Sequence, residues 1–272
     1  MKSEKIIKDN VTTGGDLGSI AEKLSDELGV ADSILLNFDF LPSKGKFYND
    51  KIFVKKLSTI DIKNLNTMTE SNANAVLNGV LSNCIVSGID VNSIVQGDKI
   101  WFLFYLRSIT FNDHPIQTKN HCKECGRNFE KGFVLKDIPV NYLSDEFSEF
   151  LELDSGIKLQ VQFPTIGHEI KANQLKRNDQ IIESIDSELL DISCYIKSVN
   201  GKELSLFKAY EFIKNMNPID FVEFSSYMID YNIGLVPTVS VECSCGNTIE
   251  KRIEFGSEFF MPKFNKGKKK KK

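Results

Sequence analysis

The chain has 272 residues, of which 41% are apolar and 26% charged, and its formal net charge is −3. That composition excludes wholesale disorder, and the length suits one large domain or two intertwined ones rather than a mini-protein that depends on staples. Seven lysines between 263 and 272 carry +7 and leave −10 on residues 1–262, so an acidic body argues against a general nucleic-acid surface.

No run of about 18 apolar residues is present to span a membrane, since Trp101 to Leu106 is bounded by Lys99 and Arg107. Met1 to Asn10 is polar and lacks the apolar stretch of a secretory signal, which predicts a cytoplasmic protein. Six cysteines in that compartment point to metal binding or burial rather than to disulfides.

Residues 1–34 read as an N-terminal arm, with Gly14-Gly15 as a break and Leu17, Ile20, Ala21, Leu24 and Leu28 at the spacing of a small docking helix. Leu35 to Tyr48 alternates apolar and polar residues around the turn Pro42-Ser43-Lys44-Gly45, and Lys51 to Leu57 is strand-like, so this stretch predicts a β-hairpin. Ser58 precedes Asp61 by three, the pattern of a capping box that opens a helix. Ala73, Val76, Leu77, Val80, Leu81, Cys84 and Ile85 share the face of a further helix, with Gly88 as its stop. Asp98 is the expected cap of a helix from Lys99 to about Thr110, whose apolar residues nearly encircle it and predict central burial.

Beyond His114-Pro115 the pattern turns to strands: Ile116 to Thr118, a cysteine turn, and Gly132 to Ile138. Asp145 to Asp154 interleaves Glu146, Glu149 and Glu152 with Phe147, Phe150 and Leu151, and reads as an amphipathic helix with a solvated acidic face. A strand is expected over Ile157 to Phe163, a helical region over about Ile166 to Val199, a turn at Asn200-Gly201, and helices at Leu204 to Met216 and Pro218 to Tyr231. The chain then reads strand, cysteine turn, strand: Leu235 to Glu242, Cys243 to Gly246, and Thr248 to Phe255.

Cys122 and Cys125, with two residues between them and followed by Gly126, form one metal knuckle; Cys243 and Cys245, with one residue between them and followed by Gly246, form a tighter one. Two thiols on each turn make a set of four, the number that a structural Zn2+ takes with no position left for water. The fold class expected is therefore α+β, a helical core with short β-hairpins and a zinc-ribbon-like module joining about 112–140 to 233–256. His121 is an alternative ligand, read here as a solvated turn residue, and Cys84 and Cys194 sit in apolar helical patterns as core thiols.

A catalytic site is not indicated. His114, His121 and His168 belong to no triad or metal-hydrolase motif, and Thr12 to Gly18 has glycines but no phosphate-gripping lysine. The run Lys268 to Lys272, within the tail 263–272, reads as a solvated terminus with phosphate binding as the alternative.

Several of these features in order resemble the T4-type bacteriophage baseplate hub protein family: Leu41-Pro42-Ser43-Lys44-Gly45 before Tyr48, the helix from Asn72 to Ile85, and Gly88-Ile89-Asp90. Asp98 through Leu106-Arg107, Cys122-Lys123-Glu124-Cys125-Gly126, Cys243-Ser244-Cys245-Gly246 and the pair Phe259-Phe260 continue the likeness over about residues 35–260. The resemblance implies a non-enzymatic tail protein that forms part of the baseplate hub or assists its assembly, with other hub and tail proteins as partners. It further implies the host cytoplasm during assembly, and the virion tail baseplate, as its locations. Phe147, Phe150, Phe259 and Phe260 are the expected docking surface. The competing reading, a zinc-ribbon nucleic-acid-binding protein, has the knuckles and lysine tail in its favour and the acidic body against it.

Overall fold

The computed structural model describes residues 33–86, 89–177, 185–253 and 257–260. The arm up to residue 32, the stop at Gly88 and the lysine tail lie outside the described residues. The fold is mixed α+β, with helices and several small antiparallel sheets.

In chain order, β1 (Ile34–Leu35) pairs with β2 (Phe53–Val54), and α1 (Thr59–Asn66) and α2 (Ala73–Cys84) follow. Ser58 opens α1 with the expected reciprocal capping box, its hydroxyl accepting from the Asp61 amide. The long helix α3 (Gln96–Thr110) leads to β3 (Ile116–His121), β4 (Asn128–Phe133), β5 (Val140–Asn141), β6 (Phe150–Glu152) and β7 (Lys158–Val161). Next come α4 (Ile166–Lys176), α5 (Ser187–Ser193), β8 (Ile196–Val199), β9 (Lys202–Glu203), α6 (Leu206–Lys214) and α7 (Pro218–Asp230). The chain continues through β10 (Gly234–Leu235), β11 (Thr238–Glu242) and β12 (Thr248–Arg252) to α8 (Ser257–Phe260).

Helix α3 occupies the centre because it is apolar nearly all round: Trp101, Phe102, Leu103, Phe104 and Leu106 are all buried. Each such side chain stabilises the fold by roughly 1.5–3 kcal/mol relative to exposure. Trp101 stacks on Tyr105 one turn later, ring centroids 4.9 Å apart, and Phe104 meets Phe259 edge to face at 4.5 Å. Arg107 is buried too, donating to the carbonyls of Phe259 and His114, so the cation fastens α8 to the central helix. Burial lowers its pKa to about 10.

The first turn of α3 meets β10 at Gly97, where a Cβ would stand 2.6 Å from the Ile233 carbonyl oxygen. Only glycine permits that approach. β10 pairs antiparallel with β5, Gly234 opposite Asn141 and Leu235 opposite Val140, and the Val236 amide extends the ladder to the Pro139 carbonyl at 2.8 Å. This small sheet ties the base of the β3–β4 hairpin to the base of β11–β12. A four-stranded sheet runs in the order β6-β7-β8-β9 and turns Leu159, Val161 and Ile196 into the same core, and Asn200 and Gly201, both at positive φ, make the tight turn between β8 and β9.

Four expectations need correction. Asp98 does not cap α3: Val95 stands at that position, and the carboxylate instead lies buried, accepting from the Ser43 amide at 2.9 Å, the Ser43 hydroxyl and the Tyr48 hydroxyl at 2.8 Å. Burial raises its pKa. The segment 145–154 is not an amphipathic helix, since Phe150 to Glu152 is the edge strand β6; Phe147 is buried against Phe163 while Phe150 is 72% exposed. The region 166–199 closes as strand β8 rather than helix, because Ile196 and Ser198 alternate inward with Lys197 outward. The Leu35–Tyr48 hairpin is only two residues deep on each strand, and a 3-10 turn at Phe38–Phe40 replaces most of its first arm.

Candidate metal centre

Two hairpins bring four thiols together. Strands β3 and β4 are paired over six positions from Ile116 opposite Phe133 to His121 opposite Asn128, and the turn beyond them holds Cys122 and Cys125. Strands β11 and β12 are paired over five, from Thr238 opposite Arg252 to Glu242 opposite Thr248, and their turn holds Cys243 and Cys245.

Within the first turn the Cys122 amide donates to the Arg127 carbonyl at 2.9 Å and the Gly126 amide to the Cys122 carbonyl at 2.8 Å. The second repeats the device in shorter form: Cys243 to Asn247 and Gly246 to Cys243, each at 2.8 Å. Gly126 at φ +70° and Gly246 at φ +88° supply the left-handed residue that lets each chain reverse. One residue between the second pair of cysteines therefore suffices, because that turn is itself shorter.

The four sulfurs all lie within 4.8 Å of one another. Two of the contacts cross between hairpins, Cys122 to Cys245 at 3.6 Å and Cys125 to Cys243 at 3.7 Å. Zn–S bonds of ~2.3 Å in a tetrahedron place sulfurs about 3.8 Å apart, so the donor set fits such an ion in both chemistry and spacing. Cys122 and Cys243 are buried and Cys125 and Cys245 exposed, so one side of the cluster faces solvent.

The thiols differ electrostatically. The Cys125 backbone amide holds Cys122 down at about 6, and the Cys245 amide lowers Cys243. At Cys245 the Asn247 amide also pulls downward, but hydrogen bonds shared with the three neighbouring thiols outweigh it and push the group up to about 11.

Three neighbours were not singled out from the sequence. The Asn247 side-chain amide donates to the Cys122 sulfur at 3.6 Å, and Arg127 reaches across to the Ser244 hydroxyl of the opposite turn. Asparagine directly after the Cys-Gly step was the available signal. His121 is exposed and bonded through Nδ1 to Asn128 at 2.8 Å, outside the thiol cluster. Cys84 and Cys194 are buried far from it in role: burial pushes them up to about 12 and about 11, as expected of core thiols.

Other candidates are absorbed by structure. His168 completes the capping box at the start of α4 with Thr165, and burial lowers its pKa. Of the four phenylalanines expected to face partners, Phe147, Phe259 and Phe260 are buried and Phe150 alone is exposed. Among the described residues no helix is long and apolar enough to cross a membrane.

The fold and site define an α+β protein whose distinctive feature is a four-thiol cluster shared by two distant hairpins. A family model described as T4 bacteriophage base plate protein matches residues 34–261, and the chain belongs to that family. Membership points to a structural protein of the phage baseplate, with other tail proteins as partners. Comparison with curated proteins returned no match, and comparison with solved structures returned none.

Proposed function

We propose that the chain is a non-enzymatic component or assembly factor of the baseplate hub, and that Cys122, Cys125, Cys243 and Cys245 hold one structural zinc ion. The observation that carries the zinc reading is the convergence of four thiols from turns 118 residues apart. When bound, the ion cross-links the two turns and leaves no coordination position for water. The protein's own contribution is to orient the sulfurs by the two glycine turns and the Asn247 amide, and to fix both hairpin bases through β5 and β10.

In this reading the two hairpins are a zinc-ribbon-like module over about 112–140 and 233–256, within a body of 35–262 flanked by an arm and a lysine tail. The hub role is supported by membership in the baseplate family together with the sequence resemblance; the protein is made in the host cytoplasm and acts at the virion tail. Elemental analysis of protein purified without added metal tests the ion: one zinc per chain is expected, and its absence from Cys122→Ser and Cys243→Ser variants completes the assignment. Mass spectrometry of purified particles beside infected-cell lysate tests the role. Presence in particles makes the chain a component, presence in lysate complexes alone makes it an assembly factor, and absence from complexes with hub proteins in both overturns the proposal.

A further inference from the structure

The β1–β2 pair exposes a row of apolar side chains on one sheet face. Val54 forms an antiparallel bridge with Ile85, the Val86 amide donates to the Phe53 carbonyl at 2.9 Å, and the Lys55 amide donates to the Cys84 carbonyl at 2.8 Å. The residues after α2 thus add a third strand-like segment to the ribbon. Since directly paired residues share a face, the ribbon has two rows. The inner row, Ile34, Val54 and Ile85, packs on the core. The outer row, Leu35, Phe53 and Val86, is 51%, 36% and 47% exposed.

A ribbon apolar on both faces calls for a cover on each. The sequence supplies a cover within reach. Leu17, Ile20, Ala21, Leu24 and Leu28 fall at helical spacing, and Leu28 stands seven residues before Leu35, so even a fully extended backbone holds it within about 25 Å of the outer row. A tether this short gives an effective concentration on the order of millimolar, which favours the chain's own segment over a free competitor. Charge points the same way. Residues 16–32 carry Asp16, Glu22, Asp26, Glu27 and Asp32 against the single Lys23, whereas Lys51 and Lys55 flank Phe53 at the positions of the strand that share its face.

We propose that the row Leu35, Phe53 and Val86 is the docking surface for residues 17–28 of the same chain, an apolar stripe laid on the ribbon with its acidic side chains toward Lys51 and Lys55. The arm is then an intramolecular cover rather than a free tail.

Hydrogen exchange read by mass spectrometry on the full chain, at two protein concentrations, tests this. Amides of residues 17–28 are expected to exchange at least about tenfold more slowly than in a free peptide, at the same rate at both concentrations. Phe53→Ser and Leu24→Ser should each abolish that protection while amides of α3 stay protected; Leu35→Ser serves in place of Phe53→Ser should that variant fail to fold. Exchange of 17–28 at the free-peptide rate in the unaltered protein overturns the proposal, as does protection that survives the patch variants. Protection that grows with concentration alongside a dimer in sedimentation also overturns it, since the cover would then come from a second copy.

Discussion

Around α3, aromatic rings and aliphatic side chains are buried on every side of the helix; in the two cysteine hairpins, only four of the 22 strand positions are buried. The centre is held by area removed from solvent, which needs no particular partner so long as volume and shape are filled. The hairpins, with Phe133, Val239 and Val241 as their main buried apolar anchors, have little such area. Their tips must be joined by a few directional contacts between specific atoms, and the thiol cluster supplies them. The lesson is that one chain uses diffuse cohesion where it is thick and point fastenings where it is thin.

The sharpest way to break the contrast is at its centre. Phe102→Ala should destabilise the whole protein by about 3–5 kcal/mol, read from denaturant unfolding, because the ring it removes is fully buried in the core. On the zinc reading, Cys122→Ser should cost roughly 2–5 kcal/mol, comparable with losing a cross-link that closes a long loop, and should raise hydrogen exchange in β3, β4, β11 and β12 more than in α3. Equal loss of protection in α3 would show that the two regions are not distinct.

Asp98 sharpens the comparison, because it is a point fastening set inside the diffuse region. Asp98→Ala strands the Ser43 amide and hydroxyl and the Tyr48 hydroxyl, and should cost about 2–3 kcal/mol; Asp98→Asn keeps an acceptor and should cost less. The unaltered carboxyl has a raised folded pKa, so its contribution is full below the unfolded value of about 3.9 and is lost as pH rises through the folded one. Stability measured across that window should fall with rising pH in the unaltered protein and fall less in Asp98→Asn. The smallest expected effect is Gly126→Ala: a Cβ there meets nothing within 4 Å, so the cost is only that of the left-handed backbone, about 1 kcal/mol in thermal unfolding.

Where local pattern decides structure, the sequence was readable. The Ser58 capping box, the apolar face of α2, the encircled α3, the proline that opens α7 and the Asn200-Gly201 turn all rest on residues within a few positions of each other. The four-cysteine set was readable because paired thiols on glycine turns are rare chemistry. Other features were decided at a distance. Asp98 carries the local mark of a cap, but its partners lie 50 and 55 residues earlier, and burial with them took precedence. Phe147 to Leu151 fits a helical face equally well; the segment is extended because it pairs with β7 and because Tyr227 and Glu223 of α7 bond the backbone of Ser148 and Asp154 along its outer edge. Helical spacing alone does not disclose such a neighbour.

The separation of the two cysteine turns also orders events on the ribosome. At about 5–20 residues per second, the later pair emerges roughly 6–24 s after the earlier. For that interval Cys122 and Cys125 stand without the two thiols that complete the cluster, and translation halted before Cys243 leaves them so. Closing the cluster therefore marks the moment at which nearly all of the described fold has been made.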